Sequence, residues 1–232
     1  MNKIDRRISY KIMMDTETAN VHIVDGKLDM RDVLVYDIGW AVVDKRANIY
    51  ETKSYIVKEI FYQEAELMRS AYYAKKIPMY LEEIAQGKRV VASFYEIRKD
   101  LLETMEKYNT NTVVAHNSRF DLNALNATQR WLTKSKYRFF FPYGTEIWDT
   151  MKMANDTICK QPTYKRWCER NGYITANGQV KKTAEVLYRY ICCNPTFVEA
   201  HTGLEDVMIE AVILAKCFAQ HKKMRKKLFE SA

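Results

Sequence analysis

The sequence predicts an α/β domain on one mixed sheet, in which an antiparallel three-strand meander is continued by parallel strands and helices cover both faces. Three observations predict it. Apolar, strand-like runs follow one another near the start with short polar turns between them. After them, short β-branched runs alternate with stretches of helical spacing. The chain of 232 residues has only 7 Gly and 4 Pro, with no repeat and no Pro/Gly/Ser linker, so it offers few places to divide and reads as a single domain, 1–232.

The meander is read from Ser9 to Thr16, Val33 to Val43 and, after the turn Asp44-Lys45-Arg46-Ala47-Asn48, Ile49 to Ile60. Helical spacing then fills Phe61 to Tyr108, with breaks near Pro78 and Gly87. Thr112 to His116 is a β-branched strand leading into a helix from Arg119 to Leu132, and Glu146 to Asp149 is a second short strand before a helix. Between Thr163 and Ile191 the pattern is helix, hairpin, helix, because Asn177-Gly178 is a strong two-residue turn signal. The last helix starts at Gly203 and runs to the basic tail, its apolar residues Leu204, Val207, Met208, Ala211, Leu214, Ala215 and Phe218 spaced three or four apart.

Composition limits the function classes. At 47% hydrophobic residues the chain has ample material for a core. The opening lacks the apolar stretch of a leader, and no run approaches the ~18 apolar residues of a membrane span, so a cytoplasmic, membrane-free protein is expected. Five cysteines without a CxxC pair predict buried free thiols rather than a disulfide framework or a zinc site. The formal charge of +8 favours a polyanionic partner, and Lys222-Lys223-Met224-Arg225-Lys226-Lys227 is its densest stretch, read as a solvated helix end.

Three acidic clusters carry the chemistry. Asp15-Thr16-Glu17 follows the apolar run Ile12-Met13-Met14, and residues two apart in a strand share a face, so both carboxylates point the same way from the end of a core strand. Their repulsion calls for a cation, although acid-x-acid spacings are common and Glu64-Ala65-Glu66 is another. The second cluster, Val113 to Asp121, reads as a strand, a loop and a helix start, where Ser118 and Asp121 have capping-box spacing. The third, His201-Thr202-Gly203-Leu204-Glu205-Asp206, gives the most geometry. Thr202 and Glu205 form a T-x-x-E box, which places His201 just before the cap and Asp206 at the fourth helical position. Those two positions normally hold the apolar pair of a hydrophobic staple, so an imidazole and a carboxylate there mark a site. Asp15, Glu17, Asp121 and Asp206 supply hard oxygen ligands for Mg²⁺ or Mn²⁺, and His201 supplies a group that titrates near neutrality. This is the equipment of two-metal phosphodiester hydrolysis with a histidine general base.

In order and spacing, the clusters resemble the motifs of the DEDDh exonucleases of the DnaQ-like group. Asp15-Thr16-Glu17-Thr18 resembles the first, His116-Asn117-x-x-Phe120-Asp121 the second and His201-x-x-x-x-Asp206 the third. The resemblance runs from Asp15 to Asp206. It implies a ribonuclease H-like fold, two divalent cations, Mg²⁺ or Mn²⁺, and 3′→5′ release of mononucleotides, with Asp15, Glu17, Asp121 and Asp206 as ligands and His201 as the base. It also implies substrate contacts from Thr18, Val21, Asn117 and Phe120. Val21 falls where the group places a bulkier wedge, and Asn20 replaces a glycine whose left-handed conformation asparagine tolerates. Asp149 resembles a further acidic position, which helix capping also explains.

Compared with a minimal member of that group, 61–87 and 163–191 read as inserts that shape a substrate channel. The expected substrate is a single-stranded 3′ end, DNA in preference to RNA, and the alternative readings are a ribonuclease of the same type or a polymerase-accessory subunit with a replication partner. The Lys-, Asn- and Tyr-rich composition suits a member encoded by a phage or a low-GC bacterium.

Overall fold

The computed structural model describes residues 4–19, 22–24, 27–29, 33–71 and 73–230. Strand β1 (Lys11–Ala19) is followed by a separate two-stranded ribbon of β2 (His22–Val24) and β3 (Lys27–Asp29), then by β4 (Leu34–Val43) and β5 (Ile49–Val57). β1 pairs antiparallel with β4, and β4 with β5, so the meander forms as expected. All ten residues of β4 are buried. A strand covered on both faces reads as a continuous apolar run rather than an alternation.

Helices α1 (Lys58–Gln63), α2 (Ala65–Ser70) and α3 (Ile77–Ala85) lead to β6 (Val90–Ala92), and α4 (Phe94–Lys107) leads to β7 (Thr112–Ala115). The strand expected over Ile49 to Ile60 therefore stops at Val57. The helical reading of Phe61 to Tyr108 misses β6, which pairs parallel with β5 at the sheet edge. Three residues are too few to show a period, so only the tertiary pairing reveals this strand. Pro78 lies in the first turn of α3, where its missing N–H costs nothing.

Helix α5 (Arg119–Thr133), strand β8 (Glu146–Asp149) and helices α6 (Thr150–Asp156), α7 (Pro162–Arg170), α8 (Ala184–Ile191) and α9 (Gly203–Ala219) complete the described strands and α-helices, with short 3-10 turns at Ala74–Lys76 and Ile158–Lys160. The strand order is β6-β5-β4-β1-β7-β8, with β1, β7 and β8 mutually parallel. Between α7 and α8 the hairpin is reduced to one bridge, Ile174 with Val180, around Gly178 at φ 72°. Two cores flank the sheet. Ile12 and Met14 of β1 face the one shared with α4 and α5, whereas Met13 faces the one shared with α6 to α9.

The basic tail is not a helix end. After Ala219 the chain returns along β8, where the Asp149 N–H donates to the Lys226 carbonyl and the Leu228 N–H to that of Ile147. The charges there are partly used: Lys227 pairs with Glu146, and Arg225 with Asp156. Cys159, Cys168 and Cys217 are buried free thiols as expected, but Cys192 and Cys193 are exposed. Among the described residues no helix is long and apolar enough to cross a membrane.

Candidate active site

Asp15 and Glu17 lie within β1, not at its end as the sequence reading had it. What opens the space around them is the neighbour strand. β7 pairs with β1 only at Ile12 and Met13 and stops at Ala115, so the β1 edge beyond is left without a partner strand on that side. By strand alternation Asp15 and Glu17 share the Met13 face, toward α9, while Thr16 and Thr18 face the other way. A register shift between Glu17 and Thr18 interrupts the β1–β4 ladder at this point.

Asp121 comes from the opposite face, at the start of α5, and is held there by a 2.8 Å hydrogen bond from the Thr16 hydroxyl. The expected Ser118 cap does not form: Ser118 has helical backbone angles, and its buried hydroxyl finds no partner among the described residues. Asn117 takes a left-handed conformation, φ 62°, and its N–H donates to Asp149, whose carboxylate also caps α6 through the Met151 and Lys152 N–H groups. His116 is committed at both ring nitrogens, to the Thr150 hydroxyl at 2.9 Å and the Lys182 carbonyl at 2.7 Å. It ties the segment before α8 to the end of β7.

At α9, Thr202 is the N-cap and Glu205 the third helical residue, as the spacing predicts, but the Thr202 hydroxyl donates to the Glu205 carboxylate at 2.5 Å instead of accepting from the backbone. His201 and Asp206 meet across the helix start. One ligand atom each from Glu17, His201 and Asp206 lie within 4.8 Å of one another. Asp206 Oδ1 is buried with no hydrogen-bond partner among the described residues. A buried carboxylate oxygen left without a donor is costly, and here it faces other acids.

The electrostatics match that crowding. Burial pushes the Asp15 carboxyl far above its usual range, reinforced by Glu210, Asp121, Glu17 and Asp206. Burial, then Asp206, raises Glu17 to about 9; burial raises Asp121 to about 7; burial, then Glu199, raises Asp206 to about 8. Burial and the nearby Lys76 ammonium lower His201, which favours its neutral imidazole. His201 has φ 53°, its Nδ1 lies 3.8 Å from Glu199, and the Tyr73 ring stacks on it at 4.6 Å and 16°.

Thr18 is buried beside the register shift, and Phe120 is half-buried and packs against the α4–α5 core. Val21 lies outside the described residues.

Several residues here escaped the sequence reading. Glu210 is one turn beyond Asp206, 3% exposed, adds to the charge around Asp15 and accepts the His116 N–H at 3.1 Å. Its signal was present: an acid inside the apolar stripe of α9. Asp37 sits opposite Glu17 in β4 and accepts from the Gly203 N–H, the Tyr80 hydroxyl and the Arg89 guanidinium, so it anchors the α9 start from below. Tyr73, Lys76 and Glu199 carry no local signal, because tertiary packing alone brings them to His201.

The sheet order and helix placement are those of ribonuclease H-like exonuclease folds. A full-length 3′-exonuclease superposes with a TM-score of 0.61 at 14% identity, covering 94% of this chain and 85% of that one. The nuclease domain of 3′hExo, a DEDDh family member bound to rAMP, gives 0.57 at 12% identity over 95% and 98%. S. pombe Pop2p in its Mg²⁺- and Mn²⁺-bound form gives 0.53 at 12% identity over 91% and 83%. No protein-family model matches the chain, and no curated protein matches it by sequence. These likenesses establish the fold; they lend no support to a phage source or a polymerase partner.

Proposed function

We propose that the chain is a metal-dependent 3′→5′ exonuclease that releases mononucleotides from single-stranded DNA. The observation that carries this is the convergence of Asp15, Glu17, Asp121 and Asp206 with His201 at one open sheet edge. The donor set fits divalent metals: it is all oxygen, it includes an orphaned buried oxygen on Asp206, and its acids repel one another without a counter-ion. Asp15, Glu17, Asp121 and Asp206 would hold two Mg²⁺ or Mn²⁺ ions, which supply charge neutralisation for the phosphate and for the departing 3′ oxygen.

The chain's own residues do the rest. With Nδ1 turned toward Glu199, His201 Nε2 is the nitrogen that takes a proton from the attacking water. Tyr73 holds the ring in plane through its stacking. Lys76, which lowers both Glu17 and Asp206, places a positive charge where the phosphate arrives. Thr18 meets the terminal 3′ hydroxyl. The net charge of +8 favours a polyanionic substrate.

Digestion of matched 3′-labelled DNA and RNA oligomers with Mg²⁺, Mn²⁺ or EDTA tests the reading. Stepwise mononucleotide release from DNA that stops with EDTA is the expected result. Release that survives chelation rejects the metal chemistry, and faster release from RNA reverses the sugar preference.

A further inference from the structure

A cavity of about 330 Å³ opens beyond the ends of β7 and β8, lined among others by Asn117, Arg119, Lys152, Asn155, Lys182 and Arg225. We propose that it is a second binding site, which takes a phosphodiester of the uncleaved strand on the 5′ side of the scissile bond. This rests on the exonuclease reading.

The cavity lies at the same end of the sheet as the acids: Asn117 follows β7, Asp149 closes β8, and the Asp149 charge is felt at Asp121. From β1 across to β8 is two strand spacings, roughly 10 Å. Nucleic acid covers that in about three nucleotides at most, at 3.4 Å or more each.

The lining has the character of an anion site. Arg119 is exposed and forms no ion pair among the described residues, and Lys182 reaches only Asn155, at 3.4 Å. Lys152 is turned to the Leu228 carbonyl, and Arg225 is held by Asp156. Asp149 also lines the cavity, with one of its oxygens accepting from three backbone N–H groups, so the lining sets four cations against one acid. The lining cations suit phosphate oxygens, and no aromatic ring among the described lining residues offers a base a face to stack on. The two uncommitted cations come from different segments, and the His116 bond to the Lys182 carbonyl fixes one against the other.

The test compares wild type with the double variant Arg119→Ala/Lys182→Ala. Both side chains are exposed, and Lys99→Ala on α4 is the control. Cleavage is measured on a dinucleotide and a 12-mer, and 12-mer binding is followed by fluorescence anisotropy in EDTA over a range of salt. The expected result is a KM for the 12-mer raised about tenfold, a dinucleotide rate changed less than twofold, and a salt slope reduced by about 1.4, the value for two lost single-strand phosphate contacts. Equal losses on both substrates, or none on either, overturn the proposal. Mononucleotide competition that is lost in the double variant and indifferent to strand length overturns it too, by giving the cavity to released product. A wild type that binds the 12-mer in EDTA but does not cleave it when Mg²⁺ or Mn²⁺ is supplied sinks the exonuclease reading instead.

Discussion

Gly203 rests on Gly39 so closely that a Cβ on Gly203 would meet the Gly39 nitrogen at 2.6 Å. A Cβ on Gly39 would meet the Leu204 nitrogen at 2.1 Å, backbone against backbone. Gly39 pairs with Asp15 in the β1–β4 ladder, so this contact seats the start of α9, and with it Asp206, against the strand that carries the other acids. Gly39→Ala should push α9 outward, lowering both Mn²⁺ affinity and melting temperature. Calorimetric titration and thermal unfolding check this; wild-type values in both would show that the backbone gives way without consequence.

How much of this was legible beforehand depends on whether the signal is local. The meander, the α7–α8 hairpin turn and the positions of Thr202, Glu205 and Asp206 in α9 follow from periodicity, turn chemistry and cap spacing, which neighbouring residues set. β6 failed because its strand character comes from pairing with β5. The tail failed because charge density says nothing about a return along β8. At the site, the acids announced themselves by spacing, but the Gly39–Gly203 contact, the Asp37–Arg89 anchor and the Tyr73 stack are products of packing between distant segments.

Stacking of Tyr73 on His201 predicts a graded pair of effects. His201→Ala should lower kcat by roughly 10²–10⁴-fold, the range of a positioned general base, with little change in oligomer affinity. Tyr73→Ala should lower kcat less, and Tyr73→Phe, which keeps the ring, should restore most of it. Unchanged turnover in His201→Ala would remove the imidazole from the chemistry.

The acids of the site give stability a definite pH dependence. Glu17 ionises near 4.5 ordinarily and about 9 here, and Asp206 near 3.8 ordinarily and about 8 here. A carboxyl raised on folding binds its proton more tightly in the folded chain, so its contribution is complete below the ordinary value and is lost as pH climbs through the folded one. In EDTA the melting temperature should therefore fall from about pH 5 to pH 9, and excess Mg²⁺ or Mn²⁺ should oppose the fall. Metal binding at pH 7 should also release protons, visible as a calorimetric heat that changes with the buffer's ionisation enthalpy. A heat independent of buffer would mean that the acids are already ionised.

The Asp37–Arg89 pair is the most exacting support under the site. Its side chains are 0% and 2% exposed, with Arg89 Nη1 3.0 Å from Asp37 Oδ2, and Arg89 reaches Glu83 and Glu205 as well. Removing one partner of a buried pair strands the other charge at a cost of about 3–5 kcal/mol, whereas replacing both is far less damaging. Arg89→Met should thus destabilise the chain strongly, and it should also release the α9 start, because Asp37 is then pulled toward protonation and its bond from the Gly203 N–H weakens. Asp37→Asn/Arg89→Met, with a neutral acceptor beneath Gly203, should recover much of the lost melting temperature. Urea unfolding of the two single variants and the double variant measures the coupling. Additive losses would show that the guanidinium supports Glu83 and Glu205 rather than the acid under α9.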